Sequence, residues 1–442
     1  MRLLLTHGFF LSEDAKEQQV MRPYPPLGLL YISAYLRAKG FEVEVYDSTF
    51  GSKQELFSIL DRGPGGWLGC YGNLLTRQNV IEIAKRGRAA GWQVVLGGPE
   101  PANYAEQYLD SGAGYIVPSE GELTLAKLLA GDPAPPGVIY RDPSGAIVRT
   151  PPETLLPDLD CLPWPDRERI DLRQYLSAWR VRHGKGSVSL ITARGCPYHC
   201  RWCSHSTFGK THRRRSVRSV ADEAEWILNR YQPEMLWYAD DVFTIHSGWT
   251  LQYAGEMKRR GIRVPFECIT RADRFSPAVA EALAGMGCFR VWIGSESGSQ
   301  KILDAMQRGV RVEKVRDAVA LAKSHGLQAG MFLMWGYEGE GMEDIEATVE
   351  HVRACNPDTY LTTVSYPIKG TPYYAELSDK LVQVSDWDKS TDRDLKIRGR
   401  HSRRFYQFAD DLLRSRMESP ENSVRVAAAR AAMENTFAEV EA

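Results

Sequence analysis

Three cysteines within eight residues constrain this chain more than any other feature: Cys196-Pro197-Tyr198-His199-Cys200-Arg201-Trp202-Cys203, spaced C-x3-C-x2-C, with the next cysteine at Cys268. A structural zinc site is normally closed by four ligands, so this triplet is one short. In a [4Fe–4S] cluster each protein-held iron takes a thiolate, and three thiolates leave one iron open, as a catalytic metal keeps a position for substrate. Upstream, Ser187-Val188-Ser189-Leu190-Ile191-Thr192 reads as a strand ending at Arg194-Gly195. The cysteines therefore fall on a loop at a strand's C-terminal end, where α/β folds place ligands.

The triplet resembles the signature of the radical S-adenosylmethionine (radical SAM) superfamily. That resemblance implies that Cys196, Cys200 and Cys203 hold a [4Fe–4S] cluster whose open iron binds the amine and carboxylate of S-adenosylmethionine. One electron then cleaves the sulfonium to a 5′-deoxyadenosyl radical. A rival reading is a non-enzymatic iron–sulfur or zinc protein with a fourth ligand. His199 and His205 are nearest, but both adjoin the cysteines and are poorly placed to close a tetrahedron.

Length and composition fit a soluble globular protein of two or three domains: 442 residues, 43% hydrophobic and 25% charged. A net charge of −1 gives no global field toward nucleic acid or anionic membrane. Eight cysteines in this length are not a disulfide framework. No signal-peptide pattern or membrane-spanning run is read, so a cytoplasmic location is expected. The local run His212-Arg213-Arg214-Arg215 leaves two readings open, a solvated loop face and an anion contact at the active site.

Residues 1–135 alternate strand and helix patterns in five β–α repeats, which predicts a doubly wound, Rossmann-like (flavodoxin-like) parallel sheet. Its strand ends carry Thr6-His7-Gly8, Tyr71-Gly72-Asn73, Gly97-Gly98-Pro99-Glu100-Pro101 and Ser119-Glu120-Gly121-Glu122. Gly97 and Gly98 would let a ligand approach the backbone closely. With Pro25-Pro26-Leu27-Gly28, these motifs resemble the cobalamin-binding domain that precedes many radical SAM domains, which implies cobalamin as a further cofactor. The D-x-H-x-x-G motif that supplies a lower axial histidine is absent. His7 reads as a hydrogen-bonding loop residue.

Residues 136–186 read as a linker holding a hairpin around Pro143-Ser144-Gly145 and a proline-rich connector. Residues 187–375 give six β–α units, two fewer than a closed barrel. Six matches the partial (β/α)6 barrel of the radical SAM core. By the same resemblance, Asp240 and Asp241 face the amine of S-adenosylmethionine, Glu296 its ribose and amino-acid part, and Arg271 its carboxylate. Gly336, opening Gly336-Tyr337-Glu338-Gly339, matches the glycine turn near the adenine, without the usual proline. Residues 376–442 read as a helical tail that caps the barrel or simply packs.

The function these features imply is a radical SAM enzyme carrying out cobalamin-dependent methylation of an unactivated carbon. The alternative is a radical dehydratase, cyclase or rearrangement enzyme with a vestigial N-terminal domain. Expected partners are a small molecule of natural-product or lipid type and an external electron donor such as flavodoxin or ferredoxin.

Overall fold

The computed structural model describes residues 2–63, 65–204, 207–418 and 423–441. His205, one of the two histidines nearest the cysteines, lies outside them. By its contacts the chain forms two compact units. One comprises Met1–Pro197, Ser204–Met235 and Asp386–Thr391; the other Tyr198–Cys203, Leu236–Ser385 and Asp392–Ala442.

The first unit is built on strands β1 (Arg2–His7), β2 (Glu42–Val45), β3 (Trp67–Tyr71), β4 (Gln93–Gly97), β5 (Tyr115–Val117), β6 (Ile139–Arg141) and β7 (Ile147–Arg149), in the order β2-β1-β3-β4-β5-β6-β7. The first five are parallel, and β6 and β7 run antiparallel at the edge. The hairpin read from Pro143-Ser144-Gly145 thus extends the sheet. Leu3-Leu4-Leu5 and Val94-Val95-Leu96 are unbroken apolar runs because both faces are covered. Leu4, Val94 and Leu96 pack with Leu56, Leu60 and Val80 on one face. Leu3, Leu5 and Val95 pack with Leu29, Leu36 and Leu125 on the other.

A helix that the sequence analysis did not identify spans Leu172–His183. Its signals are all present: Asp171 accepts a hydrogen bond from the Arg173 N–H as N-cap, Gly184 closes the end at φ +74°, and Leu172, Tyr175, Leu176 and Trp179 are buried at helical spacing. The helix follows the proline-rich connector, whose composition masked it.

The segment Asp386–Thr391 belongs to this first unit although it comes from near the end of the chain. It covers a buried ion pair between Arg77 and Glu100, 2% and 4% exposed. Arg77 also donates to the carbonyls of Ser390 (2.7 Å) and Trp387 (3.3 Å). Its guanidinium lies 4.5 Å from the Tyr104 ring and 5.1 Å from the Trp387 ring. The Tyr108 hydroxyl donates to Glu100 at 3.1 Å.

The second unit holds β11 (Met235–Tyr238, its first residue falling in the other unit), β12 (Phe266–Thr270), β13 (Cys288–Glu296), β14 (Gln328–Trp335) and β15 (Thr359–Val364). They pair in the parallel order β15-β14-β13-β12-β11. Helices alternate with these strands; Pro277–Met286, for example, is capped by Ser276 and ended by Gly287 at φ +102°. The sixth strand counted from the sequence, β8 (Ser187–Leu190), falls in the first unit.

The tail helices Arg403–Glu418 and Val424–Thr436 pack on each other, and the former reaches the strand ends. Asp410 accepts from Trp335 Nε1 (2.6 Å) at the end of β14 and from the Thr362 hydroxyl (3.0 Å) on β15. Tyr406 fills the space in front of Gly336, where an added Cβ would come within 2.9 Å of its ring. Among the described residues no helix is long and apolar enough to cross a membrane.

Removing one partner of a buried ion pair strands the other charge, at a cost of about 3–5 kcal/mol. Arg77→Ala is therefore expected to lower the first unfolding midpoint in urea, followed by tryptophan fluorescence. Arg77→Met combined with Glu100→Leu should recover most of the loss.

Candidate active site

The cysteine loop begins at a sharp turn. Ala193–Arg194 (β9) and Arg213–Arg214 (β10) pair antiparallel and close the base of the loop. Gly195 follows at φ +83°, and a Cβ there would collide with the carbonyl oxygen of Thr211. Only glycine fits, both for its dihedral and for the approach. Arg194 is 5% exposed; it donates to Glu122 at 2.6 Å, lies 3.5 Å from Glu120, and stacks 5.1 Å from the Tyr31 ring. Arg213 donates to Glu120 and to the Leu156 carbonyl (2.7 Å). The Ser119 hydroxyl donates to the Thr207 carbonyl at 2.9 Å.

These contacts revise two sequence readings. Glu120 and Glu122, which stand at a strand end of the Rossmann-like sheet, are spent on the arginines that anchor the cysteine loop. The basic run is no solvated face either. Arg215 is 4% exposed and is paired with Glu223, which also pairs with Arg167 at 2.5 Å, both fully shielded from solvent.

Cys200 and Cys203 lie in the second unit and Cys196 in the first. The Cys203 N–H donates to the Cys200 carbonyl at 3.2 Å, which makes the C-x2-C segment a turn. Trp202 packs against an apolar cluster that includes Ile302, Met306, Tyr337 and Tyr373. The Arg201 N–H bonds the Met306 carbonyl, and the Tyr373 N–H bonds the Arg201 carbonyl, which pins the loop on both sides. Cys200 is buried, and no cysteine forms a disulfide among the described residues. Among those residues no three His, Cys, Asp or Glu side chains are arranged around one metal-ion position. A [4Fe–4S] cluster instead takes each thiolate on a separate iron.

The other second-unit residues singled out from the sequence stand at strand ends. Asp240 and Asp241 follow β11; Asp240 is buried. Desolvation by the surrounding chain, and then the charge of Asp240, push the Asp241 carboxyl above its usual range even though the side chain keeps solvent access. Arg271 follows β12, 2% exposed, with its guanidinium 3.6 Å from the Tyr198 ring. It donates to Asp273 (2.9 Å) and to the Arg308 carbonyl (2.9 Å), while its Nη1 is buried without a hydrogen-bond partner. Glu296 ends β13 at φ +62°, a conformation costly for a non-glycine residue and concentrated at functional sites. Burial raises its carboxyl, against the pull of Arg308 and then Arg271.

Behind Glu296 the strand is held by a residue the sequence analysis passed over. Arg316 Nε donates to His351 Nδ1 at 3.2 Å, so His351 Nε2 carries the proton and donates to the Ser295 hydroxyl at 3.1 Å. Burial, then the charge of Arg316, lower His351 to about 4 and keep it neutral. Gly336 ends β14 at φ +71°, and its N–H donates to Glu340 at 2.5 Å. Glu340 Oε1 is buried with no hydrogen-bond partner, and burial raises the carboxyl to about 8.

In the first unit, Gly97, which ends β4, and Gly98, which follows it, differ. An added Cβ at Gly98, φ +104°, would strike the Gly72 carbonyl, so this glycine serves packing between neighbouring strand ends; at Gly97 the nearest atom is 4.0 Å away. His7 at the end of β1 is engaged at both ring nitrogens. Nδ1 accepts from the Phe9 N–H at 3.2 Å, and Nε2 donates to Asp47 at 3.0 Å. Burial works against the Asp47 charge, but hydrogen bonds from His7, Tyr175 and the Thr49 N–H outweigh it and hold the carboxyl below its usual range.

Comparison with known proteins gives this geometry a family. Residues 190–352 match the Radical SAM superfamily and residues 19–129 match the B12 binding domain. The chain thus carries a B12-binding domain followed by a radical SAM domain, and it is a radical SAM enzyme. It is 27% identical over 406 residues to an uncharacterised methyltransferase of Pyrococcus horikoshii, covering 88% of this chain and 86% of that protein. It is 26% identical over 412 residues to the anaerobic magnesium-protoporphyrin IX monomethyl ester cyclase of Rubrivivax gelatinosus, covering 88% and 72%. In fold it is similar to the radical S-adenosylmethionine methyltransferase TsrM of Kitasatospora setae, solved with cobalamin and a [4Fe–4S] cluster bound. The TM-score is 0.71 and the identity 20%, over 86% of this chain and 74% of that one.

Two outcomes follow. Gly195→Ala should leave a folded chain by circular dichroism but reduce iron and acid-labile sulfide per chain severalfold after anaerobic reconstitution. For Glu340, a carboxyl raised on folding keeps a proton that the unfolded chain has released, so stability falls as pH rises from about 4.5 to about 8. Glu340→Gln removes that slope. Its stability relative to the parent should grow across this window by up to roughly 5 kcal/mol, read from denaturant midpoints at several pH values.

Proposed function

We propose that the chain binds a [4Fe–4S] cluster through Cys196, Cys200 and Cys203, binds S-adenosylmethionine at the strand ends of its second unit, and methylates an unactivated carbon of a small molecule with cobalamin held by its first unit. The residues suit these groups. Three cysteines without a nearby fourth fit a cluster with one open iron. The orphaned Arg271 Nη1 and the buried Glu296 offer a cation and an anion to the carboxylate and the hydroxyl or amine groups of S-adenosylmethionine. One strand of the first unit's parallel sheet ends in Gly97, where an added Cβ would meet nothing closer than the Val117 carbonyl oxygen at 4.0 Å.

When bound, the cluster with S-adenosylmethionine supplies the 5′-deoxyadenosyl radical, and cobalamin supplies the methyl group. The chain's own residues bind and orient. Gly195 and Arg194 fix the start of the cysteine loop, Asp240 and Asp241 present negative charge to an ammonium, and Ser295, held by His351, fixes the strand that ends in Glu296. His7 gives both nitrogens to the protein, which favours cobalamin held without a histidine ligand.

The observation that carries the methyltransferase reading is the intact B12-type sheet retained ahead of the radical SAM domain. The substrate is of natural-product or lipid type, and the tryptophan bound by TsrM is an example of a small-molecule substrate in a similar fold. A one-electron donor of flavodoxin or ferredoxin type is required, the protein acts in the cytoplasm, and nucleic acid has no part. The similarity to the Rubrivivax cyclase favours a second reading, radical ring closure.

The test is anaerobic purification with cobalamin supplied, cofactor quantitation, and an assay for 5′-deoxyadenosine after reduction with S-adenosylmethionine. Near-stoichiometric corrinoid together with 5′-deoxyadenosine is expected. The nucleoside without corrinoid would overturn methyl transfer in favour of cyclisation or rearrangement.

A further inference from the structure

Arg308 was not among the residues drawn from the sequence. It lies in the turn Met306-Gln307-Arg308-Gly309, where Gln307 and Gly309 both take positive φ, +51° and +64°. The side chain is 8% exposed. Nη1 donates to the Cys200 sulfur at 3.8 Å, Nη2 donates to the Gly294 carbonyl at 3.2 Å, and Nε lies 3.5 Å from Glu296 Oε1. Its backbone is tied at both ends, the N–H to the Leu303 carbonyl (3.0 Å) and the carbonyl to Arg271 Nη2 (2.9 Å). A permanent cation is thus fixed against one thiol of the C-x3-C-x2-C loop, with the Glu296 carboxylate beside it.

We propose that Arg308 is a positioning residue that raises the reduction potential of the cluster through Cys200, with Glu296 as the counter-charge that moderates it. This rests on the cluster occupying the three cysteines. Reduction adds one electron, drawn from a low-potential one-electron donor, and makes the cluster and its thiolates more negative by one charge. A buried guanidinium stabilises that added charge, and an N–H directed at a ligand sulfur acts in the same sense; net charge, hydrogen bonds to sulfur and exposure are what set such potentials. In a site shielded from water these interactions are little screened. A merely structural arginine, bridging Gly294 and Glu296, would contribute to folding but leave the potential unmoved.

The experiment is a redox titration of the reconstituted full-length protein without S-adenosylmethionine, followed by electron paramagnetic resonance of the reduced cluster. Arg308→Gln is expected to lower the potential enough to cut the ratio of reduced to oxidised cluster at least tenfold at fixed potential, a shift of 59 mV for one electron. Arg308→Lys, which keeps the charge, should stay closer to the parent. Glu296→Gln should shift the potential upward, and it decides the matter if Arg308→Gln fails to hold a cluster. An unchanged potential in Arg308→Gln at parental iron and sulfide content, or an unchanged or lowered potential in Glu296→Gln, overturns the inference. A parent protein that takes up no cluster contradicts the functional reading itself, a distinguishable failure.

Discussion

The chemistry we propose for this molecule depends on holding a short cysteine loop in place while leaving one coordination position unfilled. The loop cannot rely on a core of its own; it is too short and too polar. Its base is clamped instead by charge. Arg194 immediately precedes Gly195 and is locked between Glu120 and Glu122, and Arg213 closes the other strand of the ribbon on Glu120. Four charged side chains, two from the Glu120–Glu122 stretch and one from each strand of the ribbon, converge where one glycine turns the chain toward Cys196.

Buried arginines recur as the fastening device. Arg77 with Glu100, Arg167 and Arg215 with Glu223, and Arg308 with Glu296 are all shielded from water. Such pairs add little net stability compared with apolar packing, because both charges must be desolvated. They define geometry instead: each guanidinium has donors in fixed directions, and these arginines also bond backbone carbonyls. At the strand ends of the second unit, the same chemistry leaves one donor of Arg271 and one oxygen of Glu340 without a protein partner.

Much of the fold was legible in the sequence because apolar periodicity and turn chemistry agreed. The runs that became β1, β4, β12 and β14 are β-branched or apolar and bounded by glycine or polar turns, and the alternation of strands with helices announced two α/β units. The helix Leu172–His183 was missed because five prolines just upstream gave the region the look of a linker, although its caps were visible. The edge hairpin was recognised, but local sequence carries no sign that it pairs with β5. For the site, spacing alone pointed to the cysteines, because ligand number is written in the sequence. The partners of Arg194, Arg308 and His351 were not, since Glu122, Cys200 and Ser295 lie 72, 108 and 56 residues away and ion pairs across such separations leave no periodic trace.

In the proposed site the three-cysteine loop leaves one iron open to S-adenosylmethionine. The most direct measurement is electron–nuclear double resonance of the reduced cluster in the presence of S-adenosylmethionine carrying a nitrogen-15 amine. A hyperfine coupling to that nitrogen, strong enough to require direct coordination to iron, is expected. A spectrum indifferent to S-adenosylmethionine, with a fourth protein ligand on the cluster, would contradict the proposed site.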